Sequence, residues 1–147
     1  MRTPEFYSAV FGIIENDEWK ILFSRRYNTW HLDGYLSLPA WHIEKWEQPT
    51  EAMLRELHEE IDINIEKMEM VFSQQSMNAK EWSIYMNFFF KILAYNGVVK
   101  NIEEEKCSEL VFLSLDELEW EKVVPYVLNA LIGWKNGEIF SEINWNI

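Results

Sequence analysis

Cysteine is almost missing from this 147-residue chain: Cys107 stands alone, so no internal disulfide can form and a reducing cytosol suits the composition. Its expected fate is a small buried or half-buried side chain rather than a reactive thiol. No internal repeat, low-complexity tract or linker is found, and Pro and Gly are few, at 4 and 5 residues. No apolar run approaches the roughly 20 residues of a membrane span. The stretch "MRTPEFYSAVFGIIENDEW" reaches acidic residues too soon for a signal peptide. These absences predict a soluble, cytoplasmic protein. Basic residues are short as well, 13 against 25 acidic, for a formal charge of −12. That balance argues against a nucleic-acid polymer or an anionic membrane as partner, since each needs a basic face. A phosphorylated small molecule remains compatible if divalent cations neutralise both sides.

Apolar side chains make up 48% and aromatics 16% of the chain, enough for a sizeable core in one domain spanning residues 1–147. "SAVFGIIENDEWKILFSRR" reads as strand, turn and strand. "DGYLSLPA" opens on a turn signal and gives a short third strand ending near Pro39. "QPTEAMLRELHEEI" is a helix with Pro49 suited to its first position. "IDINIEKMEMVFSQQS", "EWSIYMNFFFKILAY" and "ELVFLSL" read as strands, the second central to the sheet. "SLDELEW" starts a short helix, and "VVPYVLNALIGWKNG" is a final helix closed by Gly133 or Gly137. The expected class is α+β, a mixed sheet sandwiched between helices.

At about 100° per residue, Glu56, Glu59 and Glu60 share one helix face beside an apolar stripe of Met53, Leu57 and Ile61. Such a face is most often merely solvated. Here the surroundings change the odds. Glu47 is followed after seven residues by Arg55-Glu56-Leu57-His58-Glu59-Glu60-Ile61-Asp62-Ile63. This resembles the Nudix hydrolase signature: G, five residues, E, seven residues, R-E, an aliphatic, one residue, E-E, one residue, G, an aliphatic. Of its nine fixed positions the chain keeps seven, with Trp41 and Asp62 where Gly is expected. "RRYNTWHLDGYLSLPA" before the box, and "EEEKCSELVFLSLDEL" with "VVPYVLNAL" after it, are similar to small MutT-like members of that family.

The resemblance implies a Nudix fold and metal-dependent hydrolysis of a nucleoside diphosphate linked to another moiety, with Mg²⁺ or Mn²⁺ as cofactor. It assigns Glu56, Glu59 and Glu60 as metal-binding carboxylates, with Glu56 or Glu59 also handling the proton of the attacking water. The carbonyl of Ala40 and the carboxylate of Glu109, with Glu105 as second candidate, are further expected ligands. Glu47 and Arg55 are expected to form a supporting ion pair. Arg25, Arg26 and Asn87 are candidates for contact with substrate. No Pro occurs between Pro49 and Pro125, so the Pro markers of ADP-ribose and NADH pyrophosphatases are missing. A nucleoside triphosphate, cleaved to monophosphate and pyrophosphate, is therefore the expected substrate. Many relatives are dimers, which makes a homodimer an expectation too.

In those relatives the loop reads like "LPAGHIEKGE", where this chain has "LPAWHIEKWE". Trp41 and Trp46 thus replace glycines, and Trp30 falls where N-T-G is common. If position 41 needs φ > 0, a Trp there stores strain of order 1–3 kcal/mol. Asp62 is milder, because Asp tolerates the left-handed conformation. Two readings stay open: codons for Gly decoded as Trp, or genuine Trp residues forming an aromatic lid. The latter would suit a catalytically weak module that binds a nucleotide or protein partner without turnover.

Overall fold

A computed structural model of the protein describes Thr3 and residues 5–146. Strand β1 (Glu5–Ile13) is followed by β2 (Ile21–Arg26), β3 (Leu36–Ser37) and β4 (Ala40–His42). Helix α1 (Pro49–Ile61) leads into the long strands β5 (Asn64–Asn78) and β6 (Ser83–Asn96), then β7 (Cys107–Leu113). A 3-10 turn (Asp116–Trp120), helix α2 (Pro125–Lys135) and strand β8 (Phe140–Asn144) complete the order.

The strands form two sheets rather than one. A five-stranded mixed sheet runs β4-β1-β6-β5-β8, and a three-stranded antiparallel sheet runs β3-β2-β7. Strand β6 is central, paired parallel to β1 and antiparallel to β5. Strands β1 and β2 are joined by the expected turn, yet they separate beyond an isolated bridge between Glu15 and Ile21 and so serve different sheets.

Alternation along β1 divides the core, as a two-period strand must when both faces are covered. Ala9, Phe11 and Ile13 face one cluster with Val127, Ala130 and Leu131 of α2. Val10 and Ile14 face the other, with Met53, Leu57 and Ile61 of α1. The two helices therefore cover opposite faces, which gives the sandwich of helices about a mixed sheet. Gly12 lets α1 come close, since a Cβ there would lie 3.3 Å from Leu57 Cδ1. This close docking sets the depth of the acidic face next door.

Pro49 occupies the first turn of α1, where a missing N–H costs nothing. Asp62 ends the helix in the left-handed region at φ 61°, its amide donating back to the His58 carbonyl. Helix α2 is closed by Asn136 and Gly137 (φ 83°), whereas Gly133 lies inside it. There a Cβ would meet the Phe72 ring at 3.0 Å, so Gly133 answers to packing rather than to termination.

Candidate active site

Helix α1 carries the acidic face out of the core. Glu56 is buried, Glu60 half-buried and Glu59 exposed. All three line a cavity of ≈ 130 Å³ together with Glu44, Arg55 and Glu103. Arg55 organises the group. Its Nε and Nη2 donate to the two oxygens of Glu47 at 2.7 and 2.9 Å, a bidentate pair that ties the loop to the helix. Its Nη1 donates to Glu56 Oε1 and, at 3.4 Å, to Glu59 Oε2. The backbone N–H of Glu44 also donates to Glu47, at 3.0 Å. The loop between β4 and α1 is thereby held at both of its ends.

The charges respond to these contacts. Hydrogen bonds from Arg55 hold the Glu47 carboxyl below the usual carboxylate range. Burial pushes Glu56 up, against the pull of Arg55. Glu60 is raised well above its ordinary value, first by desolvation and then by the charge of Glu56. Glu56 and Glu60 thus face each other as like charges at the edge of the core, each raising the cost of ionising its neighbour. The Ala40 backbone N–H opposes this rise by donating to the Glu60 carboxylate. Burial raises Glu103 too.

Hard carboxylate oxygens crowded around one small cavity are the donor chemistry a hard divalent cation takes. Among the described residues, no three His, Cys, Asp or Glu side chains are already gathered at ligand spacing. The donor set therefore fits a divalent cation in kind, with Glu56, Glu59, Glu60 and Glu103 as the side chains within reach. Glu103 was outside the sequence reading, which stopped at Glu105 and Glu109. A hint lay in the run "EEEK", whose first Glu the chain folds back towards α1: Ile102 N donates to the Glu60 carbonyl at 3.1 Å.

Glu109 and Arg25 lie elsewhere. They face each other across the β2–β7 pair, with Arg25 Nε donating to Glu109 Oε1 at 2.7 Å and Arg25 Nη2 to Glu121 at 3.3 Å. Neither lines the carboxylate cavity. Arg26 and Asn87 line a larger cavity of ≈ 510 Å³, as does Ala40. That volume is within the range of small-molecule sites. His42, Tyr85, Tyr126 and Trp145 give it aromatic walls. Burial lowers the His42 pKa, favouring the neutral ring, and pushes the Tyr126 hydroxyl up to about 12. The two cavities share Trp41, Glu60, Glu103 and Lys106. An aromatic chamber thus opens directly onto a cluster of carboxylates.

The tryptophans divide into two kinds. Trp41 sits in β4 opposite Val10, outside the left-handed region, so no strain of that kind arises there. Trp30 and Trp46 are left-handed, at φ 68° and 67°, and Trp19 and Trp82 join them at 63° and 51°. Trp41 is half exposed at the mouth of both cavities, with Lys106 Nζ 5.5 Å from its ring.

Comparison with known proteins agrees with this architecture. The NUDIX domain model matches residues 6–131, and the chain belongs to the Nudix family. It is 33% identical over 79 residues to the 8-oxo-dGTP diphosphatase of Escherichia coli (strain K12), covering 50% of this chain and 61% of that protein. It is 29% identical over 109 residues to the methanol dehydrogenase activator of Bacillus methanolicus, covering 74% of this chain and 59% of that one. The matches therefore span about three fifths of these relatives. In fold it is similar to the MutT protein of Methanosarcina mazei Go1, with TM-score 0.80, 20% identity, and 93% and 97% of the two chains covered. Among the described residues, no helix is long and apolar enough to cross a membrane.

Proposed function

We propose that the protein is a divalent-metal-dependent pyrophosphohydrolase of small nucleotides that converts a nucleoside triphosphate to its monophosphate and pyrophosphate. One observation carries this reading: the aromatic cavity of ≈ 510 Å³ and the carboxylate cavity meet at Glu60. A nucleotide lying across that junction puts its base among the aromatic rings and its phosphates beside the acidic face. With a net charge of −12, the protein needs cations there to accept so anionic a substrate.

Glu56, Glu59 and Glu60, with Glu103 and the carbonyl of Ala40, are the groups that would hold Mg²⁺ or Mn²⁺. The cation, when bound, would screen the phosphate oxygens and lower the pKa of the attacking water. The chain's own part is to position and to move a proton. Arg55, anchored on Glu47, orients Glu56 and Glu59. One of these two carboxylates takes the proton as the water oxygen bonds to phosphorus and the bond to the leaving oxygen breaks. Arg26 is held by the His31 carbonyl (2.9 Å) and Thr29 (3.2 Å), which positions a cation on the wall of the larger cavity. The single Cys, half-buried and donating to the Glu109 carbonyl, supports a cytoplasmic setting and a passive role. The kinship with an 8-oxo-dGTP diphosphatase brings oxidised purine nucleotides into the substrate panel. The complete acidic face weighs against a binding-only module.

The test is pyrophosphate release from a panel of nucleoside triphosphates with and without Mg²⁺, beside Glu59→Gln and Glu56→Gln. Metal-dependent turnover that both substitutions cut by about 10²-fold or more supports the reading. Turnover that survives both, or none from wild type with metal bound, refutes it.

A further inference from the structure

Strands β5 and β6 turn an unusual face towards the larger cavity. Gln74, Ser76, Asn78, Ser83 and Asn87 are all buried there, where a sheet face in a core is normally apolar. Buried polar groups of this kind are held by hydrogen bonds, and here the bonds form a directed relay. Gln74 Nε2 donates to the Tyr126 carbonyl and to Asn129 Oδ1, each at 2.9 Å. The orientation of the Gln74 amide is thereby set, and its Oε1 accepts from Asn87 Nδ2 at 3.0 Å. Asn87 Nδ2 also donates to Ser76 Oγ at 3.1 Å.

Both donors of Asn87 are thus spent towards β5, and its carbonyl arm is directed the other way. Asn87 Oδ1 is buried without a hydrogen-bond partner. The residue beside it on β1, in register, is Ala9, and beyond Ala9 lies His42 of β4. All three line the cavity. Ala9, a small residue, is thus the one that separates Asn87 from His42 along this row, and Tyr85 lines the same cavity. His42 Nε2 and the Tyr85 hydroxyl are engaged with each other at 3.1 Å. Neither meets the Asn87 carbonyl.

The geometry points to Asn87 Oδ1 as a specificity-determining acceptor for the base of a nucleotide. Resting on the reading of the cavity as a nucleotide site, this assigns the substrate class as nucleotides whose base presents an exocyclic amine at that point. A base presenting a carbonyl there sets two acceptors against each other. The relay through Gln74 prevents the Asn87 amide from turning to offer its donors instead. The base therefore has to supply the N–H, or the acceptor stays desolvated and unmet.

Binding of matched nucleoside monophosphates, measured by titration calorimetry, tests this without depending on turnover. The pairs are CMP and UMP, AMP and purine riboside monophosphate, and GMP and IMP, each differing in one exocyclic amine. Wild type should prefer the amine-bearing member of at least one pair by about tenfold or more, the scale of one unmet buried hydrogen bond. Asn87→Leu should bring that ratio close to one. Gln74→Met should do the same with Asn87 intact, because it frees the amide to turn, and thermal unfolding checks that both variants fold. Ratios near one in wild type for every pair, or no binding of any nucleotide, overturn the assignment. So does a preference that persists in Asn87→Leu. If no nucleotide is hydrolysed but the preference holds and needs Asn87, the hydrolase reading fails and the base assignment stands.

Discussion

Trp19, Trp30 and Trp46 hold φ values of 63°, 68° and 67°, a region where an L side chain costs about 1–2 kcal/mol and glycine costs little. Their indoles return almost nothing for that strain, being 73%, 97% and 93% exposed. Lys45 lies 6.0 Å from the Trp46 ring, an exposed cation–π contact worth about 0.5 kcal/mol at most. Replacing each Trp by Gly removes the strain but gives the unfolded chain more freedom, which offsets about 0.4–1 kcal/mol. The net gain is roughly 0.5–1 kcal/mol per position. The three lie in separate turns, so the gains should add to about 1.5–3 kcal/mol. For a chain of this size that raises Tm by roughly 3–12 °C. The assay is urea and thermal unfolding of the triple variant against wild type, with the slope of the urea transition unchanged. Trp41→Gly is the internal control. Position 41 is an ordinary strand residue, so Gly there should lower stability by about 0.5–1 kcal/mol. A triple variant no more stable than wild type, or a stabilising Trp41→Gly, refutes the argument. Trp82, at φ 51°, falls under the same strain argument. Four of the chain's eight Trp residues in the left-handed region is the pattern that glycine codons read as Trp would leave. The source gene should then carry UGA at 30, 41 and 46, where relatives have Gly, and the left-handed positions 19 and 82 join that test; UGG at 30, 41 and 46 ends that explanation.

Arg55→Lys should cost about 1–3 kcal/mol in unfolding experiments and slow any turnover more than it weakens nucleotide binding, because Lys cannot make the bidentate bond to Glu47 while reaching Glu56 and Glu59. Gly97→Ala should destabilise the fold by more than about 1 kcal/mol, since φ is 101° and the new Cβ would lie 2.8 Å from the Asp62 carbonyl oxygen. It should leave the metal affinity of the surviving folded protein unchanged. The pH dependence follows from Glu56 and Glu60, whose pKa values are raised in the folded state. A raised carboxyl stabilises the fold fully below its unfolded pKa, and that contribution is lost as pH rises through the folded value. Metal-free protein should therefore lose part of its Tm on titration upward from about pH 4.5. Added Mg²⁺ should restore more of it at pH 8 than at pH 5, because protons and the cation compete for the same oxygens. Equal rescue at both pH values would show that these carboxylates do not bind the ion.

Local regularities reached the sequence, whereas relations between distant segments did not. Helix α1 was legible because its apolar stripe, its Pro49 and its three carboxylates all obey one period. The Glu47–Arg55 pair was legible only through the resemblance to the Nudix signature, since Glu47 lies in the loop before α1 where no period applies. Strands β4 and β8 were missed: three residues of β4 are too few for alternation to register, and β8 alternates with its larger side chains partly in solvent. The division into two sheets was equally hidden, because the turn after β1 reads the same whether the next strand pairs with β1 or leaves it. Arg25 and Glu109 illustrate the consequence. Each resembled a site residue when taken alone, and only the β2–β7 register reveals that they meet each other. Glu103 is the converse, an unremarkable member of an acidic run until the loop returns it to α1. The polar alternation Gln74, Ser76, Asn78 was visible in the letters, but alternation alone assigns those residues to solvent. What makes them chemically significant is that the fold buries them. A buried polar row has to be matched by something, and among the described residues Asn87 Oδ1 is the acceptor of that row left unmatched, which is why the proposed selectivity is placed there.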